Sequence, residues 1–179
     1  FLGGGAQGNQ IMAKAGGPAD LGFNDAVKLR VRSFLAHEMA HVWQTHLGND
    51  DARWFNEGEA ELVSLRALEE LGEQTSEQVA ANLSARVAET IEGLGETSLQ
   101  KAHLRGRPQL NYSAGALLMA AAEAATAADD SRDDVFAIDR SLAAIFTEEG
   151  QASPMKSFLA AIRALGASEE ACAAIESFV

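Results

Sequence analysis

The sequence predicts a mainly α protein with a small strand element at its N-terminus. Three observations predict it. Prolines number only three, alanine is abundant and 47% of residues are hydrophobic, a composition suited to helices packed around a core. From residue 25 onward apolar side chains recur at helical spacing, and polar capping residues precede several of the runs. Before that, glycines crowd the first 24 residues without a helical period. At 179 residues one domain, or one and a half, is expected, with enough chain to bury a real core. The division we adopt is a glycine-rich segment over 1–24 and a helical body over 25–179. The chain opens on Phe1, as a processed product or a piece of a longer protein would.

Taken in order, Phe1-Leu2 and Gln10-Ile11-Met12-Ala13 are candidate short strands around Gly3-Gly4-Gly5, with a glycine loop as the alternative. Asn24 or Asp25 is placed to cap a helix running through Val27, Val31, Leu35 and His41 to Gly48. Phe34, Leu35, Ala36, Met39, Ala40, Val42 and Trp43 make this helix apolar nearly all round, so burial is expected. Gly48-Asn49-Asp50-Asp51 supplies a turn. A second helix should start at Phe55 or Asn56 and stop at Gly72. A third should run from Ser76, as cap, to Ile91, with Val79, Leu83 and Val87 as its stripe. Residues 93–110 read as a polar loop. Helices follow over 113–128, 133–148, 154–165 and 168–178, with Ser153 and Ser168 as caps for the last two. The stripes Val135, Ile138, Leu142, Ile145 and Phe158, Leu159, Ile162, Leu165 read as core.

Charge and composition exclude several partners. A formal net charge of -12 argues against nucleic acid, whose phosphates need a basic face, and gives no attraction to an anionic membrane. No apolar run is long enough to span a bilayer. Cys172 is the single cysteine, which excludes an intramolecular disulfide framework. Asp129-Asp130, Asp133-Asp134 and Glu148-Glu149 read as solvated turns.

The chemistry centres on His37-Glu38-Met39-Ala40-His41. Two histidines four apart on a helix lie about 40° apart around the axis and about 6 Å apart along it, so both imidazoles can hold one metal ion. Catalytic zinc takes three protein ligands and leaves one position for water. Glu38 adjoins the same face, where it can take a proton from that water, the arrangement of the metalloprotease signature H-E-x-x-H. The alternative is a helix whose histidines merely satisfy buried hydrogen bonds. A buried, charged Glu38 between them would then need some other partner.

Asn56-Glu57-Gly58-Glu59-Ala60, following Trp54-Phe55, resembles the N-E-G-x-A signature of the gluzincin metallopeptidases, nearest their aminopeptidase and glycyl-aminopeptidase branches. The resemblance implies a zincin-like helical catalytic domain, a Zn2+ cofactor and a peptide or protein substrate. By position it makes Glu57 the third zinc ligand and Glu61 a carboxylate that orients a zinc histidine. Tyr112-Ser113-Ala114-Gly115-Ala116-Leu117-Leu118 is similar to the segment whose tyrosine hydroxyl donates to the oxyanion, with Ala114 where those families carry lysine. Tyr112 takes that part by resemblance, and His103 is the alternative donor, in the manner of thermolysin. Gly5-Ala6-Gln7-Gly8-Asn9 is a fainter match to the aminopeptidase strand that grips a free amine, and Gly8 replaces its glutamate. The implied mechanism is zinc-dependent peptide hydrolysis with Glu38 as general base. The resemblance covers about residues 25–120 and favours a periplasmic or secreted location. The rival readings are a degenerate peptidase-like scaffold and a zinc hydrolase of a small amide or ester.

Overall fold

The computed structural model describes residues 2–7, 10–16, 24–44, 53–94, 98–99, 106–126, 136–138, 140–141, 144 and 154–179. Among these the protein is mainly helical, with one small antiparallel sheet, as the composition predicts. Strands β1 (Leu2–Gln7) and β2 (Gln10–Ala15) pair from Leu2↔Ala15 to Gln7↔Gln10. The glycines expected between two strands therefore lie inside β1. A Cβ on Gly4 would fall 1.8 Å from the Met12 carbonyl oxygen and 2.9 Å from Phe34 Cζ. Gly4 thus lets the hairpin lie directly on the first helix.

That helix, α1, spans Asp25–Trp43. Asn24 caps it, its Oδ1 accepting from the Val27 amide at 2.9 Å. It stops at Trp43 instead of continuing to Gly48, because Gln44 turns out of helical geometry at ψ 27. The Gln44 side chain is bonded to the neighbouring helix, which accounts for the turn. Residues 45–52, including the expected Gly48 turn, lie outside the described residues. The expectation that α1 is buried all round is corrected. His37, Glu38 and Ala40 are buried, whereas Leu35, Met39 and Trp43, at four-residue spacing, are exposed, Trp43 by 75%. The hairpin and α2 make the main contacts with α1, which leaves its opposite side uncovered among the described residues.

The covering helix, α2, runs over Arg53–Glu70, starting two residues before Phe55. α3 spans Ser76–Leu94. Its cap is Thr75 and not Ser76: the Thr75 hydroxyl accepts from the Gln78 amide at 3.3 Å, and Gln78 Oε1 accepts from the Thr75 amide at 2.8 Å. This is a reciprocal capping box. Of its expected stripe Val79 is buried, Leu83 packs against the core and Val87 is exposed. α4 covers Leu110–Thr126, α5 covers Pro154–Ala164 and α6 covers Glu169–Phe178, the last capped by Ser168 Oγ on the Ala171 amide at 3.1 Å. Most of 133–148, with Val135, Leu142 and Ile145, lies outside the described residues, as does Ser153; Ile138 is buried.

The core lies where α2, α4, α5 and α6 meet. Phe55 and Phe158 are fully buried with ring centroids 5.5 Å apart, and Trp54 packs edge-on against Phe55 at 5.6 Å. Both aromatic pairs have the T-shaped arrangement that aromatic quadrupoles favour. α2 and α4 share the most extensive helix contact, and it closes on two glycines. A Cβ at Gly58 would sit 2.3 Å from the Gly115 carbonyl carbon, and one at Gly115 would sit 2.1 Å from the Trp54 oxygen. Backbone touches backbone there, so the N-terminal parts of both helices are pressed together. Higher up, Arg66 of α2 reaches across to Glu123 of α4 at 2.6 Å.

Because backbone cannot yield as a side chain does, Gly58→Ala and Gly115→Ala should each destabilise the fold by about 2–3 kcal/mol. Urea unfolding should show lower midpoints with an unchanged slope. A midpoint equal to wild type in either variant would contradict the close crossing.

Candidate metal centre

The C-terminal half of α1, the second turn of α2 and the first turn of α4 meet at one place. His37 and His41 project from α1 toward α2, their ring centroids 4.7 Å apart and their planes nearly perpendicular at 86°. Glu57 reaches them from the second turn of α2. His37 Nε2 lies 3.1 Å from His41 Nε2, and each lies 3.3 Å from Glu57 Oε2. Three potential ligand atoms thus form a nearly equilateral triangle. Ligand atoms about 2.0–2.1 Å from a shared tetrahedral ion are separated by about 3.3 Å. Two imidazoles and one carboxylate, partly or wholly buried, therefore stand at the spacing that one such ion requires.

The outer faces of both rings are also engaged. His37 Nδ1 is 2.9 Å from Glu61 Oε2, at ion-pair distance but without the alignment of a straight hydrogen bond. Glu61 is in turn bound by Arg86 of α3, whose Nε donates to Asn82 Oδ1 at 2.8 Å. His41 Nδ1 lies 2.6 Å from Gln44 Oε1. With the Gln44 oxygen outside its ring, His41 carries its hydrogen on Nδ1 and turns the Nε2 lone pair inward, whereas His37, protonated up to about pH 9, donates from Nε2 toward Glu57. Three potential ligand atoms thus converge around a single proton, which a metal ion would have to replace.

The titration behaviour follows from this crowding. Burial alone would lower the His37 pKa, but the close contacts with Glu57 and Glu61 and their negative charge outweigh it and raise it to about 9. Burial would raise that of Glu57, and the two imidazoles overcome it, taking the carboxyl down to about 2. Glu61 is likewise pushed up by burial and held below the ordinary value by His37 and Arg86. In the metal-free protein the raised His37 value stabilises the fold below the ordinary 6.5, and this contribution is lost as pH rises through about 9. The lowered Glu57 value contributes above the ordinary 4.5, a contribution lost as pH falls through about 2.

Glu38 lies beside the triangle and is only 6% exposed, yet its Oε2 has no hydrogen-bond partner among the described residues. An orphaned, buried carboxylate oxygen is costly unless another group completes it. Tyr112, in the first turn of α4, stacks on His37 with centroids 5.6 Å apart and an angle of 27°. Burial, then the charge of Glu57 and a hydrogen bond to it, raises the phenol to about 12, so it keeps its proton at neutral pH. Its ring remains 38% exposed, which leaves one edge of the site open.

The structure therefore brings His37, Glu38, His41, Glu57, Glu61 and Tyr112 together. His103 lies outside the described residues, as does Gly8. No protein-family model, curated protein or solved structure matches this chain. The site consequently stands on its own geometry and on the motif resemblance. Sequence reasoning missed Gln44, Glu59 and Arg86. Gln44 follows His41 by three residues, a helical spacing that puts both on one face, and that was the available signal. The position of Arg86 beside Glu61 had no counterpart in local sequence.

A metal ion entering the triangle must displace the proton that His37 holds up to about pH 9. Zinc titrated into metal-free protein near neutral pH should therefore release about one proton and bind more tightly as pH rises. Calorimetry in two buffers of different ionisation enthalpy reads this directly. Binding with no buffer dependence would remove His37 from the ligand set.

Proposed function

We propose that this protein is a zinc-dependent metallopeptidase of gluzincin type. The observation that carries the reading is the convergence of His37 Nε2, His41 Nε2 and Glu57 Oε2 beside the buried Glu38 Oε2, which has no hydrogen-bond partner among the described residues. The resemblance of His37-Glu38-x-x-His41 and Asn56-Glu57-Gly58 to the gluzincin signatures supports it. A purely structural metal site has no need of an unpaired carboxylate on its rim.

His37, His41 and Glu57 would hold the ion, and a zinc ion bound there supplies Lewis acidity and lowers the pKa of water. Glu38 accepts a proton from the attacking water on its unpartnered oxygen and returns it to the leaving amine. Tyr112 remains protonated well above neutral pH, so its hydroxyl can donate to the oxygen on which charge develops. Glu61 orients His37 and carries the charge of Arg86 into the site without touching substrate. Among the described residues no helix is long and apolar enough to cross a membrane. A peptide or protein is the substrate class of this reading, and a periplasmic or secreted location accords with the resemblance.

Two substitutions test the roles separately. Glu38→Gln should retain about one zinc per chain and lose about 10²–10⁴ in turnover on a peptide library. Undiminished hydrolysis would take the general-base role from Glu38. Tyr112→Phe should lower kcat by about 10²–10³ with KM nearly unchanged. A rise in KM alone would make Tyr112 a substrate-binding residue instead. If zinc-loaded wild type cleaves small amides or esters but no peptide, the peptidase reading fails and the hydrolase reading replaces it.

A further inference from the structure

We propose that Gln44 and Glu59 form a positioning relay that holds His41 as its Nδ1–H tautomer. This keeps the Nε2 lone pair facing the triangle. The inference rests on the metal-centre reading above only for its consequence, not for its geometry.

The argument begins with the two unlike ends of an amide. Its nitrogen can only donate and its oxygen can only accept. Gln44 Nε2 lies 3.0 Å from the Asn56 carbonyl oxygen and 2.7 Å from Glu59 Oε2. A backbone carbonyl and a carboxylate are both acceptors, so the amide nitrogen must face them. That choice sends Gln44 Oε1 toward His41 Nδ1, at 2.6 Å. An oxygen there can only accept, so Nδ1 carries the hydrogen and Nε2 is left with its lone pair. The reversed amide would set an N–H against Nδ1 and move the ring hydrogen to Nε2. That hydrogen would then point at His37 Nε2 and Glu57 Oε2, into the space where an ion would sit.

Glu59 is what makes the choice one-sided. It is only 4% exposed, so its carboxylate gains much from an amide donor and loses much if the amide turns. Glu59 follows Glu57 by two residues on α2, and Asn56 precedes Glu57 by one. The relay therefore ties the end of α1 to the backbone that carries the third ligand. Gln44 contacts His41 at Nδ1, on the side away from the triangle, and Glu59 contacts Gln44. Both are positioning residues.

The test uses the full chain with and without zinc, and the probe is zinc itself. Long-range ¹H–¹⁵N correlation spectra of the imidazoles report the His41 tautomer, and chelator competition reports the zinc dissociation constant. Gln44→Met keeps the shape of the side chain and removes both hydrogen-bonding ends. It should populate the Nε2–H tautomer and weaken zinc binding about 10–100-fold, with cooperative unfolding retained. Glu59→Gln still offers the amide an oxygen and should keep both the tautomer and the affinity of wild type. Glu59→Leu should behave like Gln44→Met although it contacts neither histidine. An Nε2–H His41 in metal-free wild type, or wild-type affinity in Gln44→Met, would overturn the relay. If wild type holds the Nδ1–H tautomer but binds no zinc, the relay is supported and the metal reading is the one that fails. Zinc binding without peptide hydrolysis would count against the proposed activity alone.

Discussion

The contact on which the site depends is the backbone approach of α2 and α4 at Gly58 and Gly115. Helices separated by ordinary side chains keep their axes about 8–10 Å apart. Here no side chain intervenes, and the residue on the N-terminal side of Gly58, Glu57, is brought up against the first turn of α4. Tyr112, three residues before Gly115, then lies over His37. The same crossing presses Trp54 and Phe55 into the aromatic cluster with Phe158. One close approach thus serves both the core and the chemistry. Each glycine stands within a motif that sequence reasoning marked for chemistry, and its physical task is steric.

A second constraint is electrostatic. His37, Glu38 and Glu59 are buried around a space where acceptors outnumber donors. Packing of this kind opposes folding unless each charge finds a partner. Arg86 answers Glu61, Gln44 answers Glu59, and the imidazoles answer Glu57. Among the described residues of the site, one oxygen of Glu38 and Nδ1 of His37 are left without a hydrogen bond. Buried polar groups left this way beside a cluster of potential metal ligands are a common mark of a functional site. The partners come from α1, α2 and α3, so the site also acts as a polar clasp between these helices.

α1 shows the balance between these demands. Its apolar residues do not form the broad buried surface that their number suggests, since Leu35, Met39 and Trp43 face outward. The helix is held by Gly4 and Phe34 beneath the hairpin, by the Asn24 cap, and by the histidine–carboxylate contacts with α2. Its C-terminal end is set by the Gln44 side chain, which leaves the helix to serve the neighbouring one. In this helix the functional contacts and the structural ones are largely the same contacts.

The sequence by itself determined what depends on local spacing. Helical periods, the Asn24 and Ser168 caps and the four-residue interval of His37 and His41 are properties of one stretch of chain, and the structure carries each of them. The pairing of Glu57 with both histidines was legible only through resemblance to a signature, because nothing local says where the next helix lies. Tertiary structure alone decided the rest. It ended α1 at Trp43, exposed one side of that helix, set the glycines of β1 inside a strand, and placed Arg86, Gln44 and Glu59 around the ring nitrogens. Each of these outcomes depends on which surface another element covers and which polar atom it brings. That is a matter of three-dimensional packing, which a pattern along one chain does not encode.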